Sequence, residues 1–411
     1  MFCPDWRSLA AVVGAFALAA SGGARAGDAG GPPEPAREAL AGKPLAANAW
    51  VNLGVRFDGG CEVGWVYDDA NKLFLKYGGC CDGAKVPQWK NQGETSMRDT
   101  PGYSNRMVAF DPAAGSWKEL VAFDPAWPKD RPPNGCTRGM VWDQERKAMW
   151  LWGGNASYGW GDYHELWKFD AAGKKFTPTN AAGKAQLKEN IGSNTCVLGC
   201  DPRRGLIVVA NAGHYYYAVY DIARNAWTVK KQPAGLGAGG YNALPWDPVS
   251  GKFFYLGMAG TGKKQEAKPA AEEPGTAWFK YTNAETKKDE WFENRAATWS
   301  YDPGADKWEK ANPKHEPPPR SRGGFAYDSR NKVFILVGGC GGTWDKDERF
   351  FNDTWIYDPA ANDWTDPKPN GKPAFGPWAT RTWLELAYAP EYNAVVCAVE
   401  GGSGLWAYRY K

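Results

Sequence analysis

Six stretches of the chain carry one pattern of apolar and polar positions. They are GCEVGWVYDDANKLFLKYGG (60–79), GCTRGMVWDQERKAMWLWGG (135–154), NTCVLGCDPRRGLIVVANAG (194–213), GYNALPWDPVSGKFFYLGMAG (240–260), SRGGFAYDSRNKVFILVGG (321–339) and TWLELAYAPEYNAVVCAVEGG (382–402). In each, large apolar residues alternate with small ones, a short polar turn follows, and a second apolar run ends the stretch. Period-two alternation on both sides of a tight turn predicts two antiparallel strands.

A second pattern follows the first. Asp111 precedes Trp117 by six residues, as Asp170 does Phe176, Asp221 does Trp227, Asp302 does Trp308 and Asp358 does Trp364. The Asp supplies turn chemistry, and the aromatic opens a strand that returns along the outside. The sixth copy has no such ending after Leu405 to Tyr410. Its counterpart stands near the other end, where Asn48-Ala49-Trp50 repeats Asn225-Ala226-Trp227. We therefore expect the two ends to pair in one sheet.

Four strands per repeat, six repeats and closure by the first strand describe an all-β fold. It is a six-bladed β-propeller of four-stranded antiparallel blades, the ring closed by the N-terminal strand pairing in the last blade. The double glycine, the aromatic-Asp-Pro and the spaced tryptophan resemble kelch repeats, as in the propeller of the galactose oxidase central-domain-like superfamily. The resemblance covers residues 47–411 and implies a fold without fixing a function, because this architecture hosts enzymes, glycan binders and protein adaptors.

Loops between second and third strands differ in length. The longest insertion, about 261–295 in the fourth blade, begins GKKQEAKPAAEEPG and continues with Trp278-Phe279-Lys280-Tyr281 and Trp291-Phe292. Its charged first half is expected to be a mobile tip, and its second half can form an extra hairpin. A tether to a larger envelope complex is a further use for it.

The amino end reads as a processing segment. Met1 to Arg7 carries a basic residue, Leu9 to Ala20 is a small-apolar run, and Ala24-Arg25-Ala26 has the form of a cleavage site, so 1–26 is expected to be a signal peptide. The apolar run falls short of the roughly 20 residues that span a bilayer. Residues 27–46, rich in Gly, Pro and Ala, are expected to be a flexible leader. The mature protein is thus expected to be secreted or periplasmic, with no transmembrane segment, and monomeric.

Charge narrows the partners. The chain is +3 overall without a basic run, which speaks against nucleic acid. Of its nine cysteines, Cys3 lies in the signal segment. In an exported protein the rest favour disulfides, with Cys61, Cys80, Cys81 and Cys136 as candidates. Cys61 can bridge Cys80 or Cys81, leaving the other for Cys136. Cys196 and Cys200, about 13 Å apart on one strand face, cannot bridge each other. Cys397 reads as a small buried apolar residue. The four candidate cysteines match no familiar metal spacing, so neither a metal nor a cofactor is expected.

In a kelch-like propeller the first strand of each blade lines the central channel, and the long loops share a face with the start of that strand. The resemblance therefore gathers Glu62, Arg138, His214, Arg322 and Glu385 near the channel mouth, with loop aromatics Trp89, Trp160 and Trp344 around it. Arg138 and Arg322 hold equivalent places and can clasp a carboxylate or polar sugar, or form ion pairs with Glu62 or Glu385. Exposed rings stack on sugars or anchor protein partners. With three histidines in the chain and no tyrosine-cysteine pattern, the copper chemistry of galactose oxidase is not expected. No nucleophile-histidine pair or phosphate-binding glycine loop is recognisable. No residue is assigned as catalytic. The reading is a binding module for an extracellular glycan or protein on the loop-rich face. Its alternative is a carbohydrate-active oxidase, isomerase or lyase at the channel mouth.

Overall fold

The computed structural model describes residues 40, 45–57, 63–79, 104–124, 130–132, 139–153, 164–191, 196–211, 215–233, 236, 243–282, 288–341, 349–371, 373, 384–399 and 404–411. They build six antiparallel blades in a ring, nearly all β. Blade one is Gly64–Asp68, Leu73–Tyr77, Met107–Asp111 and Ser116–Val121. Blade two is Gly139–Asp143, Ala148–Trp152, Leu166–Asp170 and Lys175–Pro178, and blade three is Cys196–Asp201, Leu206–Asn211, Tyr216–Asp221 and Ala226–Lys231. Blade five is Gly324–Asp328, Val333–Val337, Thr354–Asp358 and Asp363–Thr365.

Blade six combines the two ends of the chain. Glu385–Ala389, Ala394–Val399 and Gly404–Arg409 are completed by Ala49–Asn52, with Trp50 opposite Tyr408. The closure expected from the Asn-Ala-Trp repeat is thus present.

In blades one to five the turn after the inner strand is built around its Asp. Asp68, Asp143, Asp201, Asp247 and Asp328 are 0–2% exposed, and each accepts backbone N–H groups from its own turn. A buried carboxylate is tolerable only with such donors. Blade six has Ala389 at this place, and its turn is a 3-10 segment, Pro390–Tyr392, instead.

Between blades the sheet faces pack into apolar layers. The repeating tryptophans sit there: Trp50, Trp227 and Trp364 are nearly buried, while Trp117 and Trp308 are partly so. Trp364 Nε1 donates to Thr298 Oγ1 of the preceding blade at 2.8 Å, and Trp50 Nε1 donates to Thr354 Oγ1 at 3.0 Å. Inner strands approach closely where glycine stands. A Cβ on Gly199 would lie 2.6 Å from the Leu244 carbonyl oxygen.

Blade four differs from its neighbours. Its inner strand is only Trp246–Asp247, while Lys252–Gln265 and Asp289–Asp302 are long strands that continue beyond the blade. Thr276–Thr282 pairs along the outer part of Asp289–Asp302, and Lys307–Lys310 completes the blade itself. The extra hairpin is present. The expected mobile tip is corrected over Thr261 to Gln265, which belong to a strand. Lys264 and Gln265 pair opposite Phe292 and Trp291, and Glu293 receives Thr261 Oγ1 at 2.8 Å and Lys263 Nζ. This arm rests on blade five, where Arg349 meets Glu272 and Phe279 occupies the space a side chain on Gly341 would need.

Two leader residues are also packed. Leu40 and Leu45 are buried in the apolar layer between blades six and one, and Arg409 donates to the Leu45 carbonyl. Among the described residues no helix is long and apolar enough to cross a membrane.

Candidate functional site

The inner strands of all six blades line one axial channel of about 420 Å³. That volume lies in the range of small-ligand pockets, which run from about 300 to 1,000 Å³. Each inner strand starts at the face bearing the long loops and ends at the face of short turns. Position along these strands therefore sets depth in the channel.

Counting back from the residue that opens each turn, the fourth position is Gly64, Gly139, Val197, Ala243 and Gly324 in blades one to five. In blade six it is Glu385. Five small apolar residues and one carboxylic acid thus share a layer near the loop-rich end. Glu385 lines the channel and keeps part of its surface there, yet protein atoms crowd its carboxyl. Burial alone pushes its pKa well above the usual carboxylate range. Among the described residues it has no hydrogen-bond or ion-pair partner. An acid kept neutral in this way is a hydrogen-bond donor as well as an acceptor.

Arg322 does not join it. The residue has a left-handed backbone (φ 62°), is 7% exposed, and points its Nη1 at Cys340 Sγ, 3.5 Å away, inside blade five. Its carbonyl accepts the Leu384 N–H, tying blade five to blade six. No ion pair joins Arg322 to Glu385 among the described residues. Glu62, Trp89, Arg138, Trp160, His214 and Trp344 lie outside the described residues, as do Cys61, Cys80, Cys81 and Cys136. His164 bonds the Ile191 carbonyl at 2.8 Å and packs edge-on against Trp152, and His315 pairs with Asp363 on the surface.

The four described cysteines, Cys196, Cys200, Cys340 and Cys397, are buried, and Cys200 and Cys397 are free thiols. Burial, followed by the charge of Asp143, pushes the Cys200 thiol up, and burial with Glu385 does the same for Cys397. Neither is a ready nucleophile. Among the described residues no cluster of His, Cys, Asp and Glu is arranged to hold a metal ion.

At the turn-side end, the position just before the turn residue is Tyr67, Trp142, Cys200, Trp246, Tyr327 and Tyr388. This collar was missed in the sequence, although the signal was present: VYD, VWD, GCD, PWD, AYD and AYA fall at one register of the six hairpins.

No family model matches the chain, and no curated protein matches it. Three solved structures are similar to it at low identity. YjhT is 12% identical, with 86% of this chain and 94% of that chain covered and a TM-score of 0.49. A gluconolactonase from Xanthomonas campestris is 10% identical over 86% and 87%, with a TM-score of 0.42. An auxiliary nutrient binding protein from Bacteroides thetaiotaomicron is 11% identical over 85% and 68%, with a TM-score of 0.44. The assignment as a six-bladed β-propeller rests on strand order and register.

Proposed function

We propose that this chain is an exported, kelch-type β-propeller acting as a binding module. It takes an extracellular glycan or a protein segment at the loop-rich face, with part of the ligand entering the central channel. The observation that supports this reading is Glu385, a carboxyl without a partner among the described residues, at a position where five other blades have Gly, Ala or Val. A departure from the repeat at one blade, in a cavity of ligand size, is where function is expected. A neutral acid beside apolar walls suits a sugar hydroxyl or a peptide carbonyl.

The enzymatic alternative has one supporting feature, since an acid with a raised pKa can protonate a leaving group. Glycoside hydrolysis needs a second carboxylate about 5–9.5 Å away. Among the described lining residues the other acid is Asp69, in the turn after the equivalent strand of blade one, at the opposite end of the channel from Glu385. For an oxidase, isomerase or lyase, Arg322 turns toward Cys340 instead of the channel, and Glu62, Arg138 and His214 lie outside the described residues, so binding is the better-supported activity.

The test is a glycan array and a pull-down from extracellular material with the mature protein, repeated with Glu385→Ala. A ligand captured by the wild type and released at least about tenfold more readily by the variant supports the reading. Empty results from both screens, or capture unchanged by the variant, overturn it.

A further inference from the structure

The turn-side collar is roughly 10 Å deeper in the channel than Glu385, three residues along each strand, and the binding reading does not use it. Trp142, Trp246, Tyr327 and Tyr388 are half-buried there, whereas Leu198, Leu244, Phe325 and Leu386 higher on the inner strands are buried. The collar rings therefore keep open surface toward the turn-side end.

Three of their polar tips are engaged. Tyr67 donates its hydroxyl to Glu391 at 2.8 Å, Trp142 Nε1 donates to Asp69 at 2.7 Å, and the Tyr388 hydroxyl donates to Asn393 Oδ1 at 3.1 Å. Trp246 Nε1 and the Tyr327 hydroxyl are buried without a hydrogen-bond partner among the described residues and are closed off from the channel. A sugar would find few free donors and acceptors here. What the collar offers a ligand is the negative face of its rings.

The charge behind those rings is uneven. Asp143 and Asp201 are paired with Arg146 and Arg204. Asp247 and Asp328, 2% and 1% exposed, are held instead by backbone N–H groups and by Ser250 and Asn331. Among the described residues neither has a Lys or Arg partner. Trp246, Tyr327 and Tyr388, from three consecutive blades, thus stand beside two buried negative charges. Burial first, and these carboxylates next, push the Tyr327 and Tyr388 hydroxyls above their usual range. The chain already places one cation on this arc, since the Arg203 guanidinium lies over the Trp246 ring, 5.2 Å from its centroid.

We propose that Trp246, Tyr327 and Tyr388 form an aromatic cage for an organic ammonium group, quaternary or methylated, entering from the short-turn face. Such a cation carries few or no N–H donors, needs no free acceptor, and is drawn to ring faces and to the field of Asp247 and Asp328. Arg203 is the internal competitor for the same ring. The cage is independent of Glu385, so the two sites stand or fall separately.

The experiment is ligand-observed NMR on the whole mature protein with tetramethylammonium, choline and the uncharged choline isostere 3,3-dimethylbutanol. Both cations are expected to bind, the isostere about tenfold more weakly or not at all. Tyr388→Leu is expected to weaken the cations, Arg203→Ala to tighten them, and Glu385→Ala to leave them unchanged. Circular dichroism confirms that each variant is folded. Tyr388 is half-buried and Arg203 exposed, so at least one of the pair reports even where Trp246→Leu does not fold. Equal binding of the isostere, no binding by either cation, or cation binding indifferent to both Tyr388→Leu and Arg203→Ala overturns the proposal.

Discussion

The Tyr408 hydroxyl donates to Asn48 Oδ1 at 2.9 Å, joining residues 360 positions apart in the chain. Asn48 has φ 50°, and its amide in turn reaches the Pro367 carbonyl at 2.8 Å. Blades three and five use the same device within single hairpins, where Tyr220 meets Asn225 at 2.8 Å and Tyr357 meets Asn362 at 2.7 Å. The closing blade is therefore a normal blade whose turn has been replaced by the two ends. Its outer strand also stacks Trp50 on Tyr408, with ring centroids 5.0 Å apart.

The closure can be weighed by two substitutions. Asn48→Ala loses both side-chain bonds and puts a Cβ residue without them in the left-handed region, an expected loss of about 1–3 kcal/mol. Trp50→Ala empties a packed site and is expected to cost about 3–5 kcal/mol. Urea unfolding of both variants measures this. Midpoints equal to wild type would mean that the ends do not hold the ring.

Glu385 makes stability depend on pH in a particular direction. Its folded pKa is raised above that of the unfolded chain by burial. The folded state then binds more protons above about pH 4.3, so stability falls as pH rises from there toward the folded pKa. The slope from this one group reaches up to about 1.4 kcal/mol per pH unit. Glu385→Gln keeps the shape and removes the proton, so the variant is expected to gain on wild type as pH rises from 5 to 8. Chemical unfolding across that window checks it, and parallel curves for the two proteins would show a carboxyl that titrates as if in water.

Much of the ring was legible because each blade repeats the same local problem. An Asp that must collect turn N–H groups, a positive-φ residue before the outer aromatic, and alternating inner strands recur, and Asn48, Asn225 and Asn362 mark equivalent places. The site was less legible. Glu385 was singled out as one charged group in a cluster, while the structure makes it significant through the small residues at the same depth in other blades. Arg322 looked like a mouth residue by its place before a glycine, but its left-handed backbone turns the side chain toward Cys340. The collar escaped notice because aromatic residues before an Asp read as ordinary core until the register places them around one axis. Most loop candidates fall outside the described residues.

The inner strands are also sensitive to bulk in a way the geometry ranks. A Cβ on Gly139 would meet Leu198 Cδ1 at 2.3 Å, the end of a side chain that can shift. On Gly199 it would meet the Leu244 carbonyl at 2.6 Å and Phe253 ring atoms at 2.6 Å, where backbone and a packed ring resist. Gly199→Ala is expected to cost about 1–3 kcal/mol and Gly139→Ala less, since overpacking against fixed atoms is the costlier case. Thermal melts of the two variants give the order, and a larger loss for Gly139→Ala would contradict it.

Arg320 offers the counterpart to Glu385, a buried charge that is fully matched. It is 0% exposed, and its two Nη atoms grip both oxygens of Asp353, the Nη2 bond being 2.9 Å. Nη1 also donates to the Gly338 carbonyl at 2.9 Å, and the guanidinium lies over the Phe351 ring, 4.1 Å from its centroid. Burial of Asp353 acts to raise its pKa, but the Arg320 charge and hydrogen bonds win and hold the carboxyl below its usual range. A depressed folded pKa gives stability that is present above about pH 3.9 and is lost as pH falls through the folded value. Asp353→Asn should therefore flatten the acid limb of the stability curve, the reverse of what Glu385→Gln does on the neutral side. Arg320→Met leaves the Asp353 charge with only the Trp355 indole among these side-chain partners, and a loss of about 3–5 kcal/mol is expected. Arg320→Lys cannot restore the two-pronged geometry and should recover only part of it. Unfolding measured from pH 3 to pH 7 separates these cases, and an acid limb unchanged by Asp353→Asn would remove the pair from the account of what holds blade five together.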